Sequence, residues 1–425
     1  MLGNWIRRSD KTSEWCSTSV CFTAVCMAAS LYLSPLAAAQ TVNAQELARA
    51  EARLVEILAQ IERKEINAAF RAVSQLTAEV PEFRAAQLLY ADLLQMRTGG
   101  TPQGEALAQS QTTPRRSGQG IADQSIAPAE FFAGLKSELQ RRRLAALDMP
   151  PAGMIPSNFV NLSASVRHVI AVDTSKSRLY VFAHTPQGMQ LINHFYTTIG
   201  RNGVHKRVEG DQRTPLGVYF VGRQIPGDKL PELYGKGALT VNYPNDWDRQ
   251  QGRTGSGIWL HGVPSDQFAR VPQASDGCVV LSNPDIDFLM QSIDRRTPVL
   301  IAEKLDWVTP VWNTPSSASD DFASHLSTWA QAWRSNDRAQ LQGMYAEKLA
   351  TPEALEHKRR LLSARGTLNH VNVQDTSVFH WKEDAGEIRI VNVHLTTPKG
   401  DTPTVRQYWQ RQGGQWQIFS EDLLS

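Results

Sequence analysis

The chain has 425 residues and a formal net charge of +2, and 41% of its residues are hydrophobic while 20% are charged. This is the composition of a soluble globular protein, and the length predicts two or three domains because one hydrophobic core rarely serves so long a chain. Nucleic-acid binding depends on a strongly basic surface. The near-neutral charge therefore excludes a nucleic-acid partner from the expected functions.

Residues 1–39 have the pattern of a secretory signal peptide. Arg7, Arg8 and Lys11 precede an apolar run over residues 20–33, and an alanine triplet follows at 37–39. A basic start, a short apolar run and small residues before the cleavage site are the three parts of such a signal. The run is shorter than the roughly 20 residues of a membrane span, although an uncleaved anchor is the alternative interpretation. We expect cleavage after Ala39, export to the periplasm or cell envelope, and no stable membrane span afterwards.

The next segments are predicted to be helical. Apolar spacing over residues 40–96 predicts one helical hairpin, similar to a tetratricopeptide unit and suited to homodimerisation or docking. Residues 97–128 are rich in Gly, Gln, Ser, Thr and Pro, which predicts a flexible linker. Residues 129–156 contain a connecting helix with three consecutive arginines at 141–143. A solvent-exposed face is the expected setting of these arginines, with contact to an anionic wall polymer as the alternative.

Two larger modules follow. Alternating apolar residues over 157–305 predict a mainly β sandwich or barrel, with one helix over 284–292. Residues 316–425 begin with helical patterns and end with strands, which predicts an α+β module. The fold class expected for the whole chain is therefore multidomain α+β.

Cys278 is the one cysteine beyond the predicted signal peptide, because the other three are at positions 16, 21 and 26. A lone thiol is either inert and buried or chemically reactive. His261 precedes it by seventeen residues at the end of a predicted strand, and Gly277 permits unusual backbone dihedrals. A histidine can accept the thiol proton, and amide N–H groups around Gly277 and Cys278 would form an oxyanion hole. This pattern favours acyl transfer by a cysteine nucleophile.

Four segments in order resemble the L,D-transpeptidase family with a YkuD-type catalytic domain, over about residues 167–304. They are the Gly-Asp-x-Arg-Thr-Pro-x-Gly-x-Tyr block at 210–219, Asn-Tyr-Pro-Asn at 242–245, His261, and Ser-Asp-Gly-Cys at 275–278. The resemblance implies that Cys278 attacks an L-centre carbonyl next to a terminal D-alanine of a peptidoglycan stem peptide. It also implies that His261 is the base, oriented by the backbone carbonyl of Gly262, and that no cofactor or metal takes part.

Two positions depart from the family pattern. Asp276 stands where the family usually has a second histidine, and Val280 where many members have an arginine that meets a substrate carboxylate. Together with the 242–245 segment and the C-terminal module, these departures resemble a subgroup with an NTF2-like C-terminal domain. That subgroup includes L,D-carboxypeptidases that shape the cell.

Candidate substrate-binding residues surround the predicted nucleophile. They are Ser275, Asp276, Arg213, Tyr234 and Trp259. Arg213 has an equal alternative role in orienting its own turn, and Trp259 is compatible with plain core packing. The C-terminal histidines at 370, 380 and 394 lack the spacing of zinc ligands, so we expect no metal site.

Three functions remain open at this point. The acyl-enzyme can be resolved by an amine, which is transpeptidation, or by water, which trims tetrapeptide to tripeptide. The rival from another class is a catalytically inactive wall-binding scaffold, in which Asp276 marks a decayed site. A homodimer formed through residues 40–96 is compatible with each of them.

Overall fold

The computed structural model of the protein describes residues 35–98, 128–310, 322–357, 371–395 and 404–424. The chain divides into two compact units, Met1–Glu46 and Leu47–Ser425. The first helix, α1 (Pro35–Glu62), begins inside the predicted signal peptide. Residues 1–34 of that peptide and most of the predicted linker lie outside the described residues. Within the described ranges, no helix combines the length and the apolar character that crossing a bilayer requires.

The N-terminal module has three helices where one hairpin was predicted. They are α1, α2 (Ile66–Glu79) and α3 (Arg84–Thr98). The break between α1 and α2 falls at Lys64, which has a φ of 63°. Lysine carries no breaker signal and the apolar periodicity resumes directly after it, so the sequence pattern did not reveal the break. The buried face of α2 consists of Ala69, Val73 and Leu76, at the spacing of successive helical turns.

The helices bury their apolar faces against the loop of residues 262–272. The rings of Phe83 and Phe268 lie 4.2 Å apart, and Phe268 is only 6% exposed. The connecting helix α4 (Pro128–Leu147) contributes Leu135 to the same buried cluster. The surface that these helices need is therefore supplied in part by the same chain. A homodimer through them stays a prediction.

Replacing Phe268 with alanine should lower the free energy of unfolding by about 3–5 kcal/mol, because the lost ring leaves a cavity between loop and helices. Denaturant titration of the variant measures this loss. The matched control is Leu147→Ala at a position that is 67% exposed. That change should stay within about 0.5 kcal/mol of the wild type. Equal effects of the two substitutions would contradict the docking described here.

A buried ion cluster joins the same helices to residues 157–305, the predicted catalytic module. Arg142 lies 2.8 Å from Glu138 and 3.2 Å from Glu51, and the Arg142 guanidinium stacks over the Tyr196 ring at 3.8 Å. Glu51 also pairs with Arg178 at 2.5 Å. The expectation of a solvent-exposed arginine triplet is therefore wrong for Arg142, which is buried by its stacking and by two carboxylates.

The strands of the described residues form four sheets. In chain order they are β1 (Ile155–Pro156), β2 (Phe159–Asn161), β3 (His168–Asp173), β4 (Arg178–Thr185), β5 (Gly188–Tyr196), β6 (Ile199–Gly200), β7 (Gly217–Pro226), β8 (Gly237–Val241), β9 (Trp259–His261), β10 (Gln273–Ser275), β11 (Val279–Val280), β12 (Pro298–Ala302), β13 (Trp307–Val308), β14 (Val371–Glu383), β15 (Gly386–Leu395), β16 (Thr404–Gln412) and β17 (Gln415–Leu424). Short helices α5 (Asp246–Gln250) and α6 (Asn283–Ser292) lie between them.

The catalytic module is built on one mixed sheet of eight strands in the order β11-β9-β8-β7-β12-β3-β4-β5. The pairs β12–β3 and β11–β9 are parallel, and the other neighbours are antiparallel. All five residues of β12 are buried. Such continuous apolar strands are typical of a sheet that is covered on both faces. The predicted β-rich character is present, as one continuous hydrogen-bonded sheet.

Within the described residues, the C-terminal module contains α7 (Phe322–Ser335), α8 (Arg338–Met344), a further helical stretch over residues 352–357, and a five-stranded antiparallel sheet in the order β17-β16-β15-β14-β2. Its edge strand β2 comes from within residues 157–305, which were predicted to form a separate, mainly β module. The side chains of Asn158 and Asn161 fix this strand by donating to the carbonyls of His380 and Thr376. Such long-range pairing has no local sequence signal.

The C-terminal sheet shares a hydrophobic core with the catalytic sheet. Phe379, Ile390 and Tyr408 lie in the same buried cluster as the catalytic strands. Glu383 accepts hydrogen bonds from Trp247 of α5 and from Arg253, which follows α5. The C-terminal module therefore holds the segment that leads into residues 255–257 of the site.

Candidate active site

His261 ends β9, between β8 and β11, and is 3% exposed. Its ring Nδ1 donates to the carbonyl of Gly262 at 2.7 Å, so the lone pair of the neutral ring is on Nε2. Burial lowers the pKa of His261 to about 4, against the opposing effect of the Gly262 hydrogen bond. The imidazole is therefore neutral near pH 7 and available as a base.

The turn after His261 is fixed by Asn283, the first residue of α6, which the sequence pattern did not single out. The Asn283 side chain donates to the carbonyl of Val263 at 2.8 Å and accepts from the N–H of Lys236 at 3.0 Å. A Cβ atom on Gly262 would lie 2.4 Å from the Asn283 Oδ1, so only glycine fits there. Asn283 thus keeps the Gly262 carbonyl in place for His261.

Cys278 follows a tight turn that Ser275 stabilises. The Ser275 hydroxyl donates to the carbonyl of Cys278 at 2.7 Å and accepts from the N–H of Gly277 at 3.1 Å. Ser275 is buried, and its hydroxyl is engaged within the turn. The Gly277 N–H therefore has a partner in this structure, and its role in an oxyanion hole stays a prediction. The N–H of Cys278 is the donor of this turn that an oxyanion could use.

Gly277 is required by the close approach of the upstream block. It has a φ of 122°, and a Cβ atom here would lie 2.7 Å from the carbonyl oxygen of Arg213. The neighbouring Thr214 hydroxyl donates to the Gly277 carbonyl at 2.9 Å and accepts from the N–H of Gly200 at the same distance. The 210–219 block therefore packs against the turn before Cys278 and stabilises it.

Asp211 holds that block in shape. Its carboxylate accepts from the backbone N–H groups of Arg207, Val208 and Arg213 at 2.7–3.1 Å and pairs with Lys206 at 2.8 Å. Lys206 is itself buried, so the pair is shielded from solvent. The Gly-Asp-x-Arg-Thr-Pro motif acts here as a structural support for the nucleophile.

The Cys278 thiol lies level with the first residue of β9, because Val279 of β11 pairs with Leu260 in a parallel ladder. Its Sγ donates to the carbonyl of Gly257 at 3.4 Å. Burial raises the pKa of the thiol to about 11 and the charge of Asp276 adds to this, whereas a hydrogen bond from the Trp259 backbone opposes it. At rest the pair is therefore a neutral thiol and a neutral imidazole, and the thiol must turn from Gly257 to pass its proton to His261.

Alkylation of Cys278 by iodoacetamide should be slow at pH 7 and should keep rising through pH 9 to 11. The thiolate is the reactive form, and a pKa of about 11 leaves only about one thiol in 10⁴ ionised at pH 7. The rate is measured by mass spectrometry of the Cys278 peptide, with urea-unfolded protein as reference. The reference should level off above its ordinary pKa of about 8.5. A midpoint at or below pH 7 in the folded protein would indicate a thiolate–imidazolium pair instead.

Two aromatic candidates for substrate binding, Tyr234 and Trp259, lie close to His261. The Tyr234 ring packs edge-on against His261 at 4.9 Å and lies 5.0 Å from the Trp259 ring. Both rings are partly exposed, so they can line a binding groove. Their role in substrate binding stays a prediction.

The two charged candidates for substrate binding, Asp276 and Arg213, have different contacts. Asp276 is exposed and has Arg201 at 3.7 Å and the Gln212 amide at 3.4 Å. The Arg213 guanidinium donates to the carbonyl of Val204 at 2.9 Å, which is a contact that orients its own turn. Their binding roles also stay predictions.

The C-terminal histidines take part in local contacts. His394 bonds the hydroxyls of Ser165 and Thr404, and His380 lies 3.2 Å from Glu387. His370 lies outside the described residues. Across the parts of the chain that the structure describes, no three His, Cys, Asp or Glu side chains are grouped to hold a metal ion.

Residues 167–301 match the family model of the YkuD L,D-transpeptidase catalytic domain. Similar solved structures include Bd1075 from Bdellovibrio bacteriovorus, with 27% identity, a TM-score of 0.49, and coverage of 64% of this chain and 98% of that one. The helical cell shape determining protein Pgp2 from Campylobacter jejuni has 22% identity, a TM-score of 0.45, and coverage of 63% and 96%. An L,D-transpeptidase from Mycobacterium smegmatis has 16% identity, a TM-score of 0.21, and coverage of 32% and 58%. No curated protein sequence matches the chain.

Proposed function

Because residues 167–301 are an L,D-transpeptidase catalytic domain, we propose that the protein is a cysteine acyl-transferase that acts on tetrapeptide stems of peptidoglycan. The observation that carries this proposal is the setting of His261. Its Nδ1 is committed to Gly262, which leaves Nε2 as the base on the strand next to Cys278. A decayed scaffold would have no need for a buried, oriented base beside its thiol.

The first half-reaction transfers the acyl group to sulfur. His261 Nε2 accepts the thiol proton while Sγ bonds the carbonyl carbon of the L-centre, and the N–H of Cys278 stabilises the oxyanion. The C–N bond to the terminal D-alanine then breaks. His261 donates its proton to the departing amine, and a thioester remains on Cys278.

The second half-reaction resolves the thioester. An amine or a water molecule loses a proton to His261 as it attacks the carbonyl, and the C–S bond breaks. The proton returns to the Cys278 sulfur, which restores the resting thiol. An amine acceptor gives a crosslink or a protein attachment, and water gives tripeptide, as in an L,D-carboxypeptidase.

The other modules have supporting roles in this proposal. We place the protein in the periplasm or cell envelope, on the strength of the basic start, the apolar run and the alanine triplet of residues 1–39. The C-terminal module is proposed to be NTF2-like, because two helices precede an antiparallel sheet. It supports the catalytic sheet through their shared core.

The test is incubation of the purified protein with disaccharide-tetrapeptide. We expect release of free D-alanine, and a thioester or carbapenem adduct on the Cys278 peptide in mass spectrometry. Crosslinked dimer would identify transpeptidation, and tripeptide alone would identify the L,D-carboxypeptidase. If wild-type protein releases no D-alanine and forms no adduct, while it still binds muropeptide, the wall-binding scaffold is the correct alternative.

A further inference from the structure

Arg201 is held beside the turn that presents the nucleophile. It directly follows β6, whose Gly200 pairs with Ser275 of β10 in a parallel ladder. The Arg201 N–H donates to the carbonyl of Ser275 at 2.7 Å, and the Ser275 hydroxyl in turn donates to the carbonyl of Cys278. The backbone at Arg201 is therefore fixed by a hydrogen bond to the same turn that carries Cys278.

The side chain of Arg201 lies next to Asp276 without forming a hydrogen bond to it. The distance from the Arg201 Nη2 to the Asp276 Oδ1 is 3.7 Å, which is longer than a hydrogen bond. The Arg201 Nε is buried, and among the described residues it has no hydrogen-bond partner. Buried N–H groups in native proteins are almost always paired, so this one is a donor that a bound anion can satisfy.

Asp276 presents its carboxylate at the surface next to the nucleophile. It lies two residues before Cys278, so the two Cα atoms are at most about 7.6 Å apart. Its side chain is 69% exposed. The Gln212 amide donates to the same Oδ1 at 3.4 Å, which is long for such a bond. Within the described parts of the chain no bond to Oδ2 accompanies these contacts, so this oxygen is open to a cationic ligand group.

Gln212 is held in an unusual backbone conformation. Its φ is 55°, in the left-handed region that residues other than glycine, asparagine and aspartate seldom adopt. Its carbonyl accepts from the N–H of Asn202 at 3.1 Å, so the strained residue is bonded to the segment that carries Arg201. Backbone strain of this kind is concentrated at functional sites. Arg201, Gln212 and Asp276 are therefore held together at one edge of the Cys278 turn.

A cation and an anion side by side match a ligand group that carries both charges. A free α-amino acid has an ammonium and a carboxylate on one carbon, and aspartate and arginine bind these through charge-assisted hydrogen bonds. The tetrapeptide stem has such a group at the D-centre of diaminopimelate, whose L-centre carries the carbonyl that Cys278 attacks. Five C–C bonds of about 1.5 Å join this carbonyl to the D-centre and span roughly 6 Å when extended. This matches the separation between Asp276 and Cys278.

We propose that Arg201 and Asp276 bind the free amino-acid end of diaminopimelate in the acyl donor, with Arg201 on its carboxylate and Asp276 on its ammonium group. The terminal D-alanine does not fit this role, because its nitrogen forms the scissile amide and carries no charge. The pair makes the site selective for diaminopimelate over lysine, which lacks the carboxylate. The proposal rests on the acyl-transfer function proposed above, and it gives Asp276 a role in an active site instead of a decayed one.

The test compares wild type, Arg201→Gln and Asp276→Asn on three donors. These are the tetrapeptide, the tetrapeptide amidated on the D-centre carboxylate, and the tetrapeptide N-acetylated on the D-centre amine. The measured quantity is the rate constant of D-alanine release in a single turnover with the protein in excess, so the acceptor plays no part. Arg201→Gln should lose about 10-fold on the tetrapeptide and nothing on the amide. Asp276→Asn should lose a similar factor on the tetrapeptide and nothing on the N-acetyl donor.

The matched control is Arg223→Gln, which removes an exposed arginine from β7 and should leave all three rates unchanged. Arg201→Lys should recover part of the loss, because an ammonium group keeps the charge without the paired N–H geometry. The alkylation rate of Cys278 in Arg201→Gln shows whether the site is intact.

The proposal predicts a crossed pattern, in which each variant is insensitive to the donor that lacks its own partner group. An equal loss of Arg201→Gln on the tetrapeptide and on the amide, or no loss at all, would overturn it and leave an ordinary surface ion pair. A wild-type protein that releases no D-alanine from any of the three donors would instead refute the proposed function itself.

Discussion

Replacing Cys278 with alanine is expected to reduce D-alanine release by about 10⁴-fold or more, which is the effect that loss of the nucleophile has in acyl-transfer enzymes. The reason is that no thioester can form, so that both half-reactions are lost together. The measurement is the initial rate of D-alanine release from tetrapeptide at saturating substrate. Cys278→Ser should be nearly as inactive, because His261 would have to deprotonate a much less acidic hydroxyl.

The fold should survive this substitution. The Cys278 side chain is partly exposed and its hydrogen bond to Gly257 is long, at 3.4 Å, so the melting temperature should change little. The Cys278→Ala variant should also still bind muropeptide. D-Alanine release that persists in this variant would place the nucleophile elsewhere.

The candidate residues of the site could be named from the sequence, because a nucleophile and a base are identified by residue type and order. Cys278 was identified by counting cysteines, and His261 by its position at a strand end followed by glycine. The helix over 284–292 was also predicted close to where it lies, and so was the order of helices before strands in residues 316–425, because apolar periodicity is local. Local patterns are what a single sequence expresses directly.

The hydrogen bonds that hold the site residues in position were not predictable, because most of them join polar groups that are far apart in the sequence. Nothing in the sequence indicates that Asn283 bonds Val263 and Lys236, or that Ser275 uses the Gly277 N–H. Strand β2 joins a sheet whose other strands begin more than 200 residues later. In each case tertiary packing chooses the partner, and the residue types alone allow many others.

The position of the 262–272 loop was missed for a related reason. The loop has no motif, and the hydrogen bonds from the Tyr196 and Thr198 hydroxyls to the Arg270 carbonyl form only in the folded chain. The same loop contacts the N-terminal helices through Phe268. A module that the sequence assigned to dimerisation or docking is thus also coupled physically to the active site.

Replacing His261 with alanine is expected to lower kcat by about 10²- to 10⁴-fold, the usual contribution of a general base. The buried neutral imidazole is suited to take a proton from a neutral thiol, and no other histidine lies on β9 or β11. His261→Gln should be equally slow, because an amide can hydrogen-bond the thiol but cannot accept its proton. The matched control is His184→Ala at an exposed position of β4, which should keep the wild-type rate.

The pH dependence of the wild type should carry the signature of this histidine. Because burial depresses the pKa of His261 to about 4, the base form persists as the pH falls, and kcat/KM should decline only as the pH passes through about 4. An ordinary histidine would give a decline near its reference pKa of about 6.5. A limb at pH 6 to 7, or more than a tenth of the wild-type rate in His261→Ala, would contradict the role assigned to His261. The same burial lowers the pKa of His261 and raises the pKa of Cys278. A change that admits water to the site should therefore bring both pKa values back toward their ordinary values.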